Sequence, residues 1–182
     1  MTDSDESLML RCRDGDSRAF GVLLERHHRP VFRYLLRLTG DREAAEDLMQ
    51  ETFVSAYEAR GAYTPSGRFT GWLYTIATNK ARSFARSRRR PPAAPDPGVR
   101  EPEAAYLVEE LRGAVCTALG RLEARDREAI LLREIAGLDH AELGAVLCCS
   151  PGAARVRAHR ARRRLRELLA PYCEGQTGEA QR

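Results

Sequence analysis

Lysine is almost missing from this chain: Lys80 is the single lysine among 30 basic residues. With alanine abundant, that bias reads as the base composition of a GC-rich genome rather than a use for guanidinium. Long apolar runs are missing too. No stretch approaches the roughly 18 residues that a helix needs to cross a bilayer, so no membrane contact of its own is expected. Met1–Ser7 is polar and acidic and does not resemble a secretory leader. The expected location is therefore the cytoplasm, where thiols stay reduced. The five cysteines include no CxxC pair. Cys148 and Cys149 are adjacent, a poor geometry for a shared zinc, and Cys12, Cys116 and Cys173 are scattered. All five read as structural or incidental, and neither a metal site nor a cofactor is expected. No nucleophile–base–acid set and no glycine-rich phosphate loop is present, so catalysis is not expected. Period-2 alternation is scarce, which argues against a sheet.

What is present is helix and segregated charge. The charged fraction is 31% and the net charge +4, a small excess, but its distribution is uneven. Arg86, Arg88, Arg89 and Arg90 form one basic block, and Arg155, Arg157, Arg160, Arg162, Arg163, Arg164 and Arg166 another. Acids gather at Glu43, Glu46, Asp47 and Glu51. Such separation suits two kinds of partner, a polyanion and a basic surface. The segment PPAAPDPGVREP, residues 91–102, opposes helix because proline lacks the backbone donor, and it reads as an extended linker.

The expected fold is all-α: two small helical domains joined by this proline-rich linker. The boundaries are an N-terminal tail 1–16, a first domain 17–90, the linker 91–104, a second domain 105–170 and a C-terminal tail 171–182. In the first domain, Asp16 or Ser17 caps a helix carrying Phe20, Leu23 and Leu24. Pro30 opens a second with Val31, Phe32, Leu35 and Leu36, ended by Gly40. Asp41 caps a third that runs to about Arg60. A fourth begins near Gly71. In the second domain, Leu107, Leu111, Val115, Ala118 and Leu122 form one stripe. A short helix holds Ile130, Leu131 and Ile135. Asp139 with Glu142 makes a capping box for His140–Leu147. Ser150 caps a last helix that has Pro151 at its first position and stops before Pro171.

The last two helices match a helix-turn-helix, in which the start of the second helix enters a DNA major groove. Arginine there can bond guanine bidentately, while the arginines further on suit phosphates. On the third helix Glu43, Asp47, Gln50, Glu51 and Glu58 form an acidic stripe. Across residues 61–90, Tyr63, Phe69, Trp72 and Tyr74 lie among Arg68, Asn79, Lys80, Arg82 and Arg86, a mixture that suits single-stranded nucleic acid; Trp72 alone reads as core. A one-component transcription regulator, an enzyme and a purely protein-binding adaptor are the competing readings. The first lacks a sensor domain, the second a constellation, and the third leaves the arginine-rich helix unexplained.

The runs DREAAEDLMQETFVSAYEA and FTGWLYTIATNKARSFARSRRR resemble the first domain of the extracytoplasmic function (ECF) sigma factors of the sigma-70 family. LEARDREAILLREIAGLDHAELGAVLCCSPGAARVRAHRARRRLREL resembles their second, and together the likeness covers roughly residues 17–170. It implies an alternative RNA polymerase sigma factor that directs promoter-specific initiation. Asp47, Gln50, Glu51 and Phe53 would grip the β′ clamp helices of the polymerase core, and the second domain would meet the β flap. Tyr63, Arg68, Phe69, Asn79, Lys80, Arg82 and Arg86 would take single-stranded DNA at the −10 element. Ser150, Arg155, Val156, Arg157, His159 and Arg160 would face duplex DNA at −35. Cys148 stands where the family often has glycine. The resemblance also implies an anti-sigma factor, expected to wedge between the domains and cover the acidic helix.

Overall fold

In a computed structural model, the described residues are 3–65, 68–87 and 104–174, with the side chains of 104–110, 173 and 174 left aside. The proline-rich linker, Arg88–Arg90, the end of the C-terminal tail and the side chain of Cys173 lie outside them. The described residues form eight α-helices, one 3-10 turn and no strand. These are α1 Asp5–Arg13, α2 Ser17–Thr39, α3 Arg42–Glu58, α4 Phe69–Ser87, α5 Ala104–Gly120, α6 Ala124–Glu134, α7 His140–Leu147 and α8 Pro151–Glu174. The all-α expectation holds.

Three helix boundaries differ from the sequence reading. The interval taken as a tail contains α1. Ser4 caps it by accepting from Ser7 N at 3.2 Å, and Leu8, Met9 and Cys12 are buried. Its Asp5 carboxylate meets Arg26 and His27 of α2, each at 2.7 Å. Burial pushes that carboxyl up, but the hydrogen bonds and positive charge of Arg26 and His27 hold it below the ordinary range. The two helices read on either side of Pro30 are one, α2, with Pro30 inside it. Proline forfeits a single ladder bond there. Val31, Tyr34 and Leu35, each fully buried just beyond it, keep the axis committed to the core. α8 likewise continues through Pro171 to Glu174, where the freed carbonyl is close to solvent and the loss is small.

The first four helices surround Leu23, Tyr34, Leu35, Leu48, Leu73 and Tyr74. Tyr34 and Thr78 share a buried hydrogen bond of 2.8 Å, which fixes α2 against α4. In the second half α6 and α7 both pack on α8. The small residues Ala154, Ala158 and Ala161 lie at that seam, all buried. Leu111, placed by periodicity on a buried stripe, is 47% exposed.

The turn between α7 and α8 carries a backbone constraint. Cys148 is the only non-glycine residue with positive φ among the described residues, at φ 54 and ψ 50. An L-residue pays roughly 1 kcal/mol in the left-handed region, which glycine does not. Cys148→Gly is therefore expected to stabilise the second half by about 1 kcal/mol, read as a raised thermal midpoint; a lowered midpoint would show that the thiol supplies a compensating contact.

Candidate functional site

The candidate reading helix, α8, is built from its caps outward. Asp139 accepts from Ala141 N and Glu142 N at 2.7 and 2.8 Å, and the Glu142 carboxylate accepts from Asp139 N at 2.9 Å. This closes the capping box that starts α7. Ser150 caps α8 by accepting from Ala153 N at 3.2 Å. At the helical pitch of 3.6 residues per turn, Ala154, Ala158 and Ala161 face the core. Arg155, Val156 and His159 then share the opposite, outward face. All three are exposed, Val156 at 63%. With Arg133, His140, Arg162 and Arg163 they border a cleft of about 550 Å³.

Of the other residues expected at −35, Arg157 leaves this face, and Arg160 borders the same cleft but is already paired. Arg157 is half-buried on the flank. Arg160 is engaged with Asp126 of α6 by a fork of two 2.6 Å hydrogen bonds, with Glu123 at 3.7 Å. That carboxylate holds the Arg160 guanidinium firmly protonated. In this chain Arg160 orients α8 on α6. Arg162 and Arg163, which the sequence reading set among the arginines suited to phosphates, border the same cleft. Their positions seven and eight residues beyond Arg155 bring them there.

On α3, Asp47, Gln50 and Glu51 are exposed as expected. Phe53 is not: it is 5% exposed and meets the Phe20 ring edge-on at 6.4 Å. It forms the floor of an apolar groove between α2 and α3, about 850 Å³ in volume, with Leu24, Met49, Val54 and Tyr57 along it and Gln50 and Glu58 on its rim. Val54 is 56% exposed and Leu24 41%. The sequence reading named Leu24 only as an apolar residue of its helix and passed over Val54, although Val54 falls in the middle of the acidic stripe.

Around α4 the expected single-strand surface divides. Tyr63 and Phe69 are 4% and 3% exposed. With Trp72 they form a ring cluster, Tyr63–Trp72 centroids lying 4.9 Å apart. The Tyr63 hydroxyl donates to Glu6 of α1 at 2.6 Å, and burial together with that carboxylate pushes its phenol well above the usual range. Tyr63 and Phe69 secure the loop to the core and are not open to stacking, while Trp72 is half-buried. Arg68, Asn79 and Arg86 are exposed. Lys80 is paired with Glu51 at 3.1 Å, so an expected DNA contact and an expected polymerase contact hold each other. Arg82 is paired with Glu128 of α6.

Two family models match the chain: Sigma-70 region 2 over residues 23–91 and Sigma-70, region 4 over residues 112–165. The RNA polymerase sigma factor CarQ of Myxococcus xanthus is 40% identical over 172 residues, covering 88% of this chain and 95% of that one. The chain belongs to the ECF sigma factors of the sigma-70 family. It is an alternative RNA polymerase sigma factor, a regulator of transcription initiation rather than a member of an enzyme family. The ECF RNA polymerase sigma-E factor of Escherichia coli K12 is 31% identical over 183 residues, covering 92% of this chain and 95% of that one. Two solved structures share the arrangement. CnrH in complex with the cytosolic domain of CnrY aligns with a TM-score of 0.74 at 32% identity, over 93% of this chain and 99% of that one. The sigma factor RpoE in complex with the anti-sigma factor NepR from Bartonella quintana aligns at 0.71 and 25% identity, over 83% and 96%. The region 2 match contains the acidic α3 and the basic α4; the region 4 match contains the helix-turn-helix.

Among the described residues no helix is long and apolar enough to cross a membrane, and no group of three or more His, Cys, Asp or Glu could hold a metal ion.

Proposed function

We propose that this sigma factor docks on polymerase core through the α2–α3 groove and its acidic rim. In this reading Leu24, Met49 and Val54 supply apolar contact, while Asp47, Gln50 and Glu51 meet basic residues of the β′ clamp helices. Arg68, Asn79 and Arg86, joined by Lys80 and Arg82 when these leave their present partners, take the single-stranded −10 element. Arg155, Val156 and His159 read the −35 duplex, with Arg157, Arg162 and Arg163 on phosphates. Ser150 serves first as the cap that aims α8 and lies within reach of the backbone there. Residues 17–90 and 105–170 are the two functional domains, and α1 extends the first. The second domain meets the β flap. The chain supplies no catalysis of its own and works in the cytoplasm, where core polymerase is.

The carrying observation is the outward row of Arg155, Val156 and His159 on the first turns of a doubly capped helix-turn-helix, backed by buried alanines. Runoff transcription with purified core on genomic fragments tests the reading. Promoter-selective transcripts dependent on this chain are expected, and their absence would defeat it. Arg155→Ala should cost roughly 1–3 kcal/mol at one base pair if Arg155 makes a bidentate base contact. Scanning of the promoter would show relaxed preference at that position alone. A loss spread evenly over all sequences would make Arg155 a phosphate contact.

Control by an anti-sigma factor is supported by the likeness to RpoE, a sigma factor solved in complex with the anti-sigma factor NepR. The partner is proposed to compete with core for the groove and the acidic rim. A wedge between the domains meets an obstacle, because α7 and α6 touch α4 and α2 directly. An inhibitor either displaces those contacts or binds outside them, over Val54 and Asp47. Protection of Val54 and Asp47 in the complex while Arg82 and Glu128 stay paired distinguishes the second route.

A further inference from the structure

The region 4 unit closes onto the region 2 unit at the surface proposed for −10 DNA. Arg82 on α4 directs Nε and one terminal nitrogen at the two Glu128 carboxylate oxygens, 3.0 and 2.7 Å away. Their side chains are only 17% and 9% exposed. Arg37 of α2 donates to the Cys116 sulfur of α5. Nearer the start of α4, a Cβ built at Gly71 would lie 3.5 Å from the Glu142 Cβ of α7. A guanidinium meets a carboxylate and a phosphate in the same forked geometry, so Arg82 cannot serve Glu128 and a DNA backbone together.

We propose that Glu128 is an internal substitute for a DNA phosphate, which captures Arg82 in the closed chain and shuts α4 against −10 DNA until the two units part. The proposal rests on the reading of α4 as the −10 surface. Promoter geometry requires the parting. Elements about 25 base pairs apart, at roughly 3.4 Å each, are separated by on the order of 80 Å. A compact chain of this length has a radius of gyration of about 16 Å and a span of roughly 40 Å. Residues 88–103 can bridge the difference, since an extended chain reaches about 3.5 Å per residue. A shielded ion pair suits a latch that must open: desolvation offsets much of its attraction, while its geometry still fixes the register of closure.

The test is the full-length Gly71→Cys/Glu142→Cys chain, whose Cβ separation falls in the range of a disulfide. Oxidation is expected to cross-link the units. The locked chain should bind a single-stranded −10 oligonucleotide at least tenfold more weakly than the same chain reduced. It should also fail in runoff transcription with core, and reduction should restore both. Comparing two redox forms of one variant cancels the lost Glu142 cap, and the unsubstituted chain treated in parallel accounts for its own thiols. Failure to cross-link in solution, or a locked chain that melts promoters as well as the reduced one, overturns closure. In a second arm, Glu128→Gln keeps the shape and removes the charge. It should raise the free chain's affinity for the oligonucleotide about tenfold; an unchanged affinity overturns the capture of Arg82. Arg82→Ala in assembled polymerase separates this from the site reading. Unimpaired melting there would remove Arg82 from the −10 surface, and capture with it, while the cross-link still reports on closure itself.

Discussion

Asp47→Lys combined with Glu51→Lys is expected to weaken binding to polymerase core about a hundredfold. Both side chains are exposed on α3, so the helix should remain folded; a far-ultraviolet spectrum like that of the parent checks this. The physical cause is like charge facing a basic clamp, a juxtaposition that costs several kcal/mol at an interface, of which about 2.7 kcal/mol corresponds to the stated factor. Glu51 also pairs with Lys80, so its reversal disturbs α4 as well. Asp47→Lys alone, with Val54→Asp as a partner substitution in the groove, removes that complication, since Val54 is 56% exposed and contributes little to folding. Equal affinity of these variants and the parent for core would assign the clamp to another face.

Gly144→Ala is expected to disrupt the helix-turn-helix outright. A Cβ at this position would stand 2.7 Å from the Cys149 carbonyl oxygen and 3.3 Å from Pro151 N and Ser150 C. All three are backbone atoms, so no side chain can move aside. The same turn carries the Cys149 N–H to Gly144 O hydrogen bond of 2.9 Å, which must lengthen as the chain gives way. Overpacking of a close backbone approach costs roughly 3 kcal/mol. In a small domain that is a large part of total stability. The expected readouts are an early thermal transition for the second unit and loss of −35 duplex binding, with α1–α4 still melting at the parent temperature. A single parental transition with normal duplex binding would show that the turn opens at little cost. Cys148→Gly, four residues on, should move stability in the opposite direction, which makes the pair an internal check on the backbone argument.

Part of this molecule is decided within short stretches of chain. The Asp139–Glu142 capping box, the Ser150–Pro151 start of α8, the Asp41 cap and the Gly40 terminus are local signals, and each stands where the sequence placed it. The helix-turn-helix was legible for that reason, because its specificity lies in caps and a turn only a few residues long. The acidic stripe was legible as well, since helical pitch alone lines up Asp47, Gln50 and Glu51. Propensity misled at Pro30 and Pro171, where the penalty of one missing hydrogen bond is smaller than the packing that holds the helix on either side. It also misled at α1, whose short amphipathic face becomes a helix only because α2 and Tyr63 offer it a surface and partners.

Which charged residues are free and which are spent was decided only by the tertiary structure. Arg82 and Arg155 look alike in sequence, yet Arg82 meets Glu128 from a position 46 residues away, while Arg155 stands exposed on α8. Arg160 and His159 are neighbours, but one braces α6 and the other faces outward. Tyr63 and Phe69 sit among basic residues in sequence and in the core in space. Pitch and capping depend on the nearest few residues, so the chain determines them by itself. Pairing of charges and burial of rings depend on which distant surface arrives opposite, and only tertiary packing settles that: α1 and α2 around the rings, α6 against α4 for Arg82 and against α8 for Arg160.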